Sequence, residues 1–303
     1  MARYLVVPAA DVDGSGEPTT LERALLRTSA LSGLTNGEAY RAFVLANPSA
    51  AFTPEVDAPS LPEALAYSAA MTTPLTSGRL ALVSDLVASL KAGGAWSALD
   101  WLWIAQETQQ GARINLRNPA KSLTAVNSPA FTVDRGFAGD GVSAYLSIGE
   151  TWNAAGNQFA QDSATVGAWT NLQADTAVRA IVGSAGSSDN ISISEGAAGS
   201  SESVRINDGA FETARTSTSK LGHRTAVRRG ASVKEAYFNG SLSASFATAS
   251  TAVPGVNGSF LRRNSSYATG RMAAGYSGGA LTGPQVAALH TALSTYLTAI
   301  GAQ

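Results

Sequence analysis

The chain has 303 residues, with 45% hydrophobic and 14% charged side chains and a formal net charge of −1. It is long enough for two domains, and it lacks the basic excess that nucleic-acid binding requires. It contains no cysteine and only two histidines, which excludes disulfides, thiolate metal sites and a cysteine nucleophile. Small residues are abundant, a composition suited to closely packed strands and turns.

The N-terminus, MARYLVVPAADVDG, has a short apolar run broken by Pro8, so the expectation is no export signal. No apolar run approaches the ~20 residues of a membrane-spanning helix, so a soluble protein is expected. Charge is uneven along the chain. Residues 1–90 hold nine acids and five bases, whereas residues 200–275 hold ten bases and four acids. The second stretch reads either as a solvated face or as a basic surface for an acidic partner such as an anionic polysaccharide.

Tyr4–Val7 reads as a short strand. Helices follow, with capping-box patterns at Thr19-Thr20-Leu21-Glu22, Thr35-Asn36-Gly37-Glu38 and Ser60-Leu61-Pro62-Glu63. In each pattern a hydroxyl can accept from the N3 amide while the glutamate returns to the cap amide. A longer helix is expected from Ser77 to Lys91, with Leu80, Val83, Val87 and Leu90 on one face and Gly93-Gly94 as its stop. The Trp-rich segment AWSALDWLWIAQETQQ, residues 95–110, is apolar on all sides as a helix. It is expected to be buried under a sandwich or between subunits.

From Ala112 the period changes to two. Strands are expected near 122–126, 129–134, 143–149, 164–173, 177–183, 190–195, 202–207, 222–229, 258–263 and 270–276. The clearest hairpin is VKEAYFNGSLSASFAT, where Asn239-Gly240 supplies the positive φ angles of a type I′ turn. A closing helix starts at the box Thr282-Gly283-Pro284-Gln285 and aligns Val286, Leu289, Leu293, Leu297 and Ile300.

The expected class is therefore α+β. It has an N-terminal helical anchoring region (1–95), a Trp-rich connecting helix (96–111) and an antiparallel β-sandwich with a short C-terminal helix (112–303). Phe131–Gly149 marks the opening strands of the sandwich.

The motifs GDGVSAYLSIG, Val166-Gly167-Ala168-Trp169, Gly222-His223-Arg224, YFNGSLSAS and LTGPQVAALHTAL together resemble the laminin-G-like, concanavalin A-type jelly roll of lectins and glucanases. The Trp-rich segment followed by SPAFTVDRGFAGDGVSAYLSIG also resembles virion proteins of tailed bacteriophages and gene-transfer particles. These resemblances imply a virion fibre or spike protein that binds host surface polysaccharide. Its partners would be other virion proteins contacted through residues 1–111. A homo-oligomer is implied, with a trimer favoured. A purely architectural subunit and a glycan depolymerase are the alternatives.

The E-x-D-x-E-like string of glucanases is absent. Asp134, Asp140, Asp162, Glu202 and Asp208 are scattered through turns, and no G-x-S-x-G elbow accompanies His223 or His290. The expectation is therefore no enzymatic activity and no cofactor. For sugar contact, exposed aromatic faces beside amides and charged donors are needed. Trp152 and Asn153 form one candidate group, and Arg262, Arg263, Asn264 and Tyr267 the other. Asp11, Asp13, Ser15 and Glu22 match the spacing of a calcium loop, although Pro18 and the competing Thr19 box weigh against it.

Overall fold

A computed structural model describes residues 60–303 apart from 173, 175, 176, 185–189 and 197. The capping patterns at Thr19 and Thr35 and the calcium-type residues Asp11, Asp13, Ser15 and Glu22 lie outside the described residues. Leu61–Gln303 form one unit of three layers, in which helices cover one face of a sheet and a second sheet covers the other.

Two helices open the unit. α1 spans Pro62–Ala69 and α2 spans Ser77–Ala92. α2 follows its sequence pattern: the Thr76 hydroxyl accepts from the Arg79 amide, Val83, Val87 and Leu90 are buried, and Gly93 closes the helix. The box expected at Ser60 is not formed. Leu61 caps α1 without a side-chain bond, its amide donates to Ser84 Oγ on α2 (2.8 Å), and Glu63 pairs with Lys91 (2.6 Å). Partners on the neighbouring helix displace the local ones.

The Trp-rich segment is the main departure from expectation. Residues 96–98 make one 3-10 turn, and Leu99–Ile104 form strand β1, antiparallel to the last strand of the sheet. Trp101 and Trp103 point between the two sheets, while Leu102 and Ile104 point into the helical layer. A strand buried on both faces shows no polar alternation, and its apolar run is then indistinguishable from a buried helix. Because this strand is consumed inside the unit, it is not a surface for other subunits. α3 (Gln109–Arg113) follows, capped by Thr108.

Most of the remaining strands fall close to the expected positions, with Gly136–Ala138, Glu212–Thr216 and Ser266–Tyr267 as additions. They are β2 (Thr124–Val126), β3 (Ala130–Thr132), β4 (Gly136–Ala138), β5 (Tyr145–Thr151), β6 (Ala164–Leu172), β7 (Arg179–Ser184), β8 (Ile191–Glu195) and β9 (Ser201–Ile206). Then come β10 (Glu212–Thr216), β11 (Gly222–Gly230), β12 (Val233–Phe238), β13 (Ser241–Phe246), β14 (Asn257–Phe260), β15 (Arg262–Arg263), β16 (Ser266–Tyr267) and β17 (Arg271–Gly278).

The first sheet runs β13-β12-β11-β6-β17-β4-β3, with β1 also paired to β17. The second runs β10-β9-β8-β7-β14-β5-β2. The β12–β13 turn has Asn239 at φ 47° and Gly240 at φ 78°, the positive angles a tight hairpin needs. α4 (Gly283–Ala299) begins with the full capping box of Thr282 and Gln285. It seats Val286, Leu289, Leu293, Tyr296 and Leu297 against α2 and the first sheet. Arg79 ties the layers together, bonding the Tyr296 hydroxyl (3.4 Å) and pairing with Asp134 (2.9 Å) in the β3–β4 turn.

The basic excess of residues 200–275 is partly internal. Lys220, Arg224, Arg228 and Lys234 are buried. Arg224 meets Glu202, Arg228 meets Asp208 (2.6 Å), and Lys234 meets Asp208 (2.9 Å) and Glu212 (2.5 Å). Buried pairs of this kind need good geometry merely to offset desolvation. They are not a surface for an acidic partner.

Candidate functional site

A polar trough of about 320 Å³ is lined by Leu99, Asp100, Arg117, Asn118, Lys121 and the 155–158 loop. Three distant segments build it. The start of β1 supplies Asp100. The 115–121 loop is held to β1 by buried Asn115, whose side chain donates to the Asp100 carbonyl (2.9 Å) and accepts from the Leu102 amide (3.0 Å). The 155–158 loop is held by Asp100 itself, whose two carboxylate oxygens accept from the amides of Gln158 (2.8 Å) and Phe159 (3.0 Å).

A shallower recess of about 200 Å³ shares Lys121 with the trough and adds Trp101, Ser122, Ile148, Gly149 and Glu150. Glu150 is its hub. It accepts from Lys121 Nζ (2.7 and 2.9 Å), Trp101 Nε1 (2.9 Å) and Asn157 Nδ2 (3.2 Å). Arg117 lies with its guanidinium 5.0 Å from the Trp96 ring centroid, and its Nε donates to the Trp96 carbonyl (3.1 Å).

The two carboxylates are tuned apart. Burial raises the Asp100 carboxyl above its usual range, against the pull of the Gln158 and Phe159 amides. Burial also pushes Glu150 upward, but the bonds from Lys121, Trp101 and Asn157 outweigh it and hold the group below its usual range. The trough thus offers fixed amide, ammonium, guanidinium and carboxylate groups within one concavity, the donor and acceptor mixture that grips a polyhydroxyl ligand.

Of the residues picked from sequence, Trp152 is fully buried. Its indole donates to Ser184 Oγ (3.2 Å), stacks on Phe159 (5.9 Å) and meets Phe260 edge-on (5.9 Å). It has no face to offer a sugar. It instead anchors the loop that walls the trough, and Asn153 is exposed at the start of that loop. Arg262, Arg263, Asn264 and Tyr267 do not line the trough. They form the β15–β16 hairpin beside β7 of the second sheet. Sequence reading missed Asp100, Arg117, Lys121, Asn157 and Gln158, which no local motif groups together.

A second cleft, of about 360 Å³, is lined by uncharged groups that include Trp169, Asn171, Asn239, His290 and Ser294. His223 packs beside it, with its ring 5.5 Å from that of Trp169 and 5.4 Å from that of His290. His223 is wholly buried, and burial, with His290 and Arg224 nearby, drops its pKa to about 3. Asp140 serves turn chemistry, accepting from the amides of Val142, Ser143 and Ala144. Among the described residues no group of three or more His, Asp or Glu is placed to hold a metal ion.

No protein-family model and no curated protein matches the sequence. Solved structures do. Trypanosoma rangeli sialidase, in complex with 2-keto-3-deoxy-D-glycero-D-galacto-2,3-difluoro-nononic acid, aligns with TM-score 0.50 at 11% identity. The alignment covers 72% of this chain and 40% of the sialidase. The fold is a jelly-roll β-sandwich. Domain 4 of an extracellular arabinanase from Geobacillus stearothermophilus, in complex with arabinotriose, aligns with TM-score 0.39 at 12% identity, over 62% of this chain and 86% of that domain. A botulinum neurotoxin type C structure, described as depending on two ganglioside molecules for cell entry, aligns with TM-score 0.46 at 11% identity, over 67% and 53%.

The chain spans about 40% of the length of the sialidase it matches. The sialidase likeness is one of fold, and it corrects one expectation. Absence of enzymatic activity does not follow from the missing E-x-D-x-E string, because a glycosidase is among the proteins that share this fold.

Proposed function

We propose that the chain is a glycan-recognition protein whose trough between Asp100, Lys121 and Gln158 holds a polysaccharide segment. The observation that carries this reading is the trough itself. It sets the Asp100 carboxylate, two cations and the side-chain amides of Asn118, Asn157 and Gln158 around about 320 Å³. A hydroxyl-rich ligand satisfies such groups, whereas an apolar ligand would leave them unpaired.

The sequence resemblance to phage-type virion proteins sets the context: a fibre or spike component, located on the virion, with residues 1–95 contacting other virion proteins. Several copies on one particle, a trimer being the favoured unit, would turn modest single-site affinity into firm attachment. The test is adsorption of purified protein to host cells and to the same cells stripped of surface polysaccharide. Binding lost on stripping supports the reading. Equal absence of binding to both supports a purely architectural subunit.

A second reading, glycan cleavage, is favoured by one observation. Asp100 and Glu150 bond to the same 155–158 loop, and their environments shift them in opposite directions. An acid paired with a base is what glycoside hydrolysis requires. Shortening of the polysaccharide on incubation, abolished in Glu150→Gln, would establish it.

A further inference from the structure

Arg228, Lys234 and Phe246 stand side by side on β11, β12 and β13, as cross-strand partners on the face of the first sheet that meets the second. The second sheet answers with Asp208, two residues after β9, and Glu212, the first residue of β10. Lys234 Nζ lies 2.9 Å from Asp208 Oδ2, 2.5 Å from Glu212 Oε2 and 5.4 Å from the Phe246 ring centroid. Lys234 and Asp208 are wholly buried, whereas the Glu212 side chain is 25% exposed.

Distance and angle disagree in this cluster. Although Nζ is close to both carboxylates, neither approach has the angles of a hydrogen bond, and Nζ and Glu212 Oε2 are both left without one. Asp208, by contrast, is fixed through both oxygens. Its Oδ1 accepts from the Ala210 amide (3.0 Å) and its Oδ2 from Arg228 Nη2 (2.6 Å). Arg228 is itself tied to the Ile206 and Thr248 carbonyls (2.6 and 2.9 Å), and the Thr248 hydroxyl holds the other Glu212 oxygen. A nitrogen 2.9 Å from Oδ2 is no more than about 4 Å from the carboxyl carbon, close to the separation at which positioned reactants combine. The Lys91–Glu63 and Lys121–Glu150 pairs are equally close but partly exposed, so water solvates them.

We propose that Lys234 and Asp208 condense to an amide that joins the two sheets covalently, in a chain that has no cysteine to do so. Nζ bonds to Asp208 Cγ and the Cγ–Oδ2 bond breaks. Two protons of the ammonium leave with that oxygen as one water, and the third stays on the amide nitrogen. Glu212 is the proton carrier: it touches Nζ, and its exposed side gives the water a way out. Arg228 and the Ala210 amide face the two carboxyl oxygens, where negative charge builds as Nζ adds. The step needs no oxidant and no co-reactant. Burial favours it, because it removes one cation and one anion that are costly to desolvate. Arg228 and Glu212 remain as one charge of each sign.

The test is intact-mass measurement of the full chain, freshly purified and after prolonged incubation. The expected mass is one water below that of the sequence, with a proteolytic product in which the segments bearing Asp208 and Lys234 are joined. Lys234→Arg keeps the cation but cannot condense, and is expected to show the full sequence mass. Glu212→Gln, without its proton carrier, is expected to lose the water about a hundredfold more slowly. A full sequence mass in the folded, incubated chain would overturn the proposal. So would a water loss that persists in Lys234→Arg or that hydroxylamine reverses, since either marks a succinimide at Asp208-Gly209 instead. Where a variant fails to fold, the joined product from the unaltered chain carries the test: its presence supports the amide and its absence overturns it.

Discussion

The imidazole Nε2 of His223 lies 2.7 Å from the hydroxyl of Tyr276, in a wholly buried contact on the face of the first sheet that α4 covers. The pair joins two strands that both flank β6, and Tyr276 crosses Gly167 of β6 between them. Acid should therefore act on this layer through His223. With its pKa lowered from 6.5 to about 3, the folded state stays neutral where the unfolded chain protonates. The contribution of His223 to stability is full above pH 6.5 and falls toward pH 3 by about 1.4 kcal/mol per unit, on the order of 5 kcal/mol in total. Urea midpoints should fall as pH drops toward 3, most steeply below about pH 4.5, and His223→Phe should flatten the fall.

Glu195 acts in the opposite direction. It is fully buried between the sheets, and burial raises its pKa to about 7 despite the attraction of Arg224 and Lys220. The unfolded carboxyl ionises first, so stability is lost as pH rises from about 4.5 to 7, on the order of 3 kcal/mol. The two groups offset each other between pH 4.5 and 6.5, which leaves the steep acid loss below about pH 4.5. Glu195→Gln should stabilise the protein at pH 8 and move the onset of acid loss up toward pH 6.5, as read by urea titration at each pH.

Gly167 leaves room for the Tyr276 ring, which a Cβ would approach to 2.1 Å. Gly167→Ala should displace that ring, break the bond to His223 and cost about 1–3 kcal/mol by overpacking. A fall in urea midpoint, together with a smaller pH dependence below pH 6.5, would confirm the coupling.

Trp103 tests whether the Trp-rich stretch is part of the sandwich. Its indole meets Phe137 and Phe260 edge-on at 6.1 and 5.7 Å. Trp103→Ala should leave a cavity between the sheets and cost about 3–5 kcal/mol. A cost below 1 kcal/mol would mean that the strand is not core.

Features specified by local chemistry were legible in the sequence. Asn239-Gly240 turns where it must, Thr282 and Gln285 close their box, and half-buried strands show their alternation. β1 was illegible because Trp101 and Leu102 are both buried, on opposite faces, so from Trp101 onward no polar residue marks the period. The trough was illegible because Asp100, Lys121 and Gln158 come from three segments far apart in the chain. Trp152 looked like a contact residue but is buried, and it anchors the loop that walls the trough. The charge excess of residues 200–275 misled because Arg224 and Arg228 sit two turns of the pleat apart and point inward, where Glu202 and Asp208 meet them.

The central claim is that the trough holds glycan, and amide NMR of the full chain titrated with host surface oligosaccharide tests it most directly. The account predicts saturable shifts at Asn118, Lys121, Asn157 and Gln158, at least tenfold weaker in Lys121→Ala, where the fixed ammonium and its partner Glu150 are both disturbed. Shifts confined to residues outside the trough, or affinity unchanged in Lys121→Ala, would contradict it.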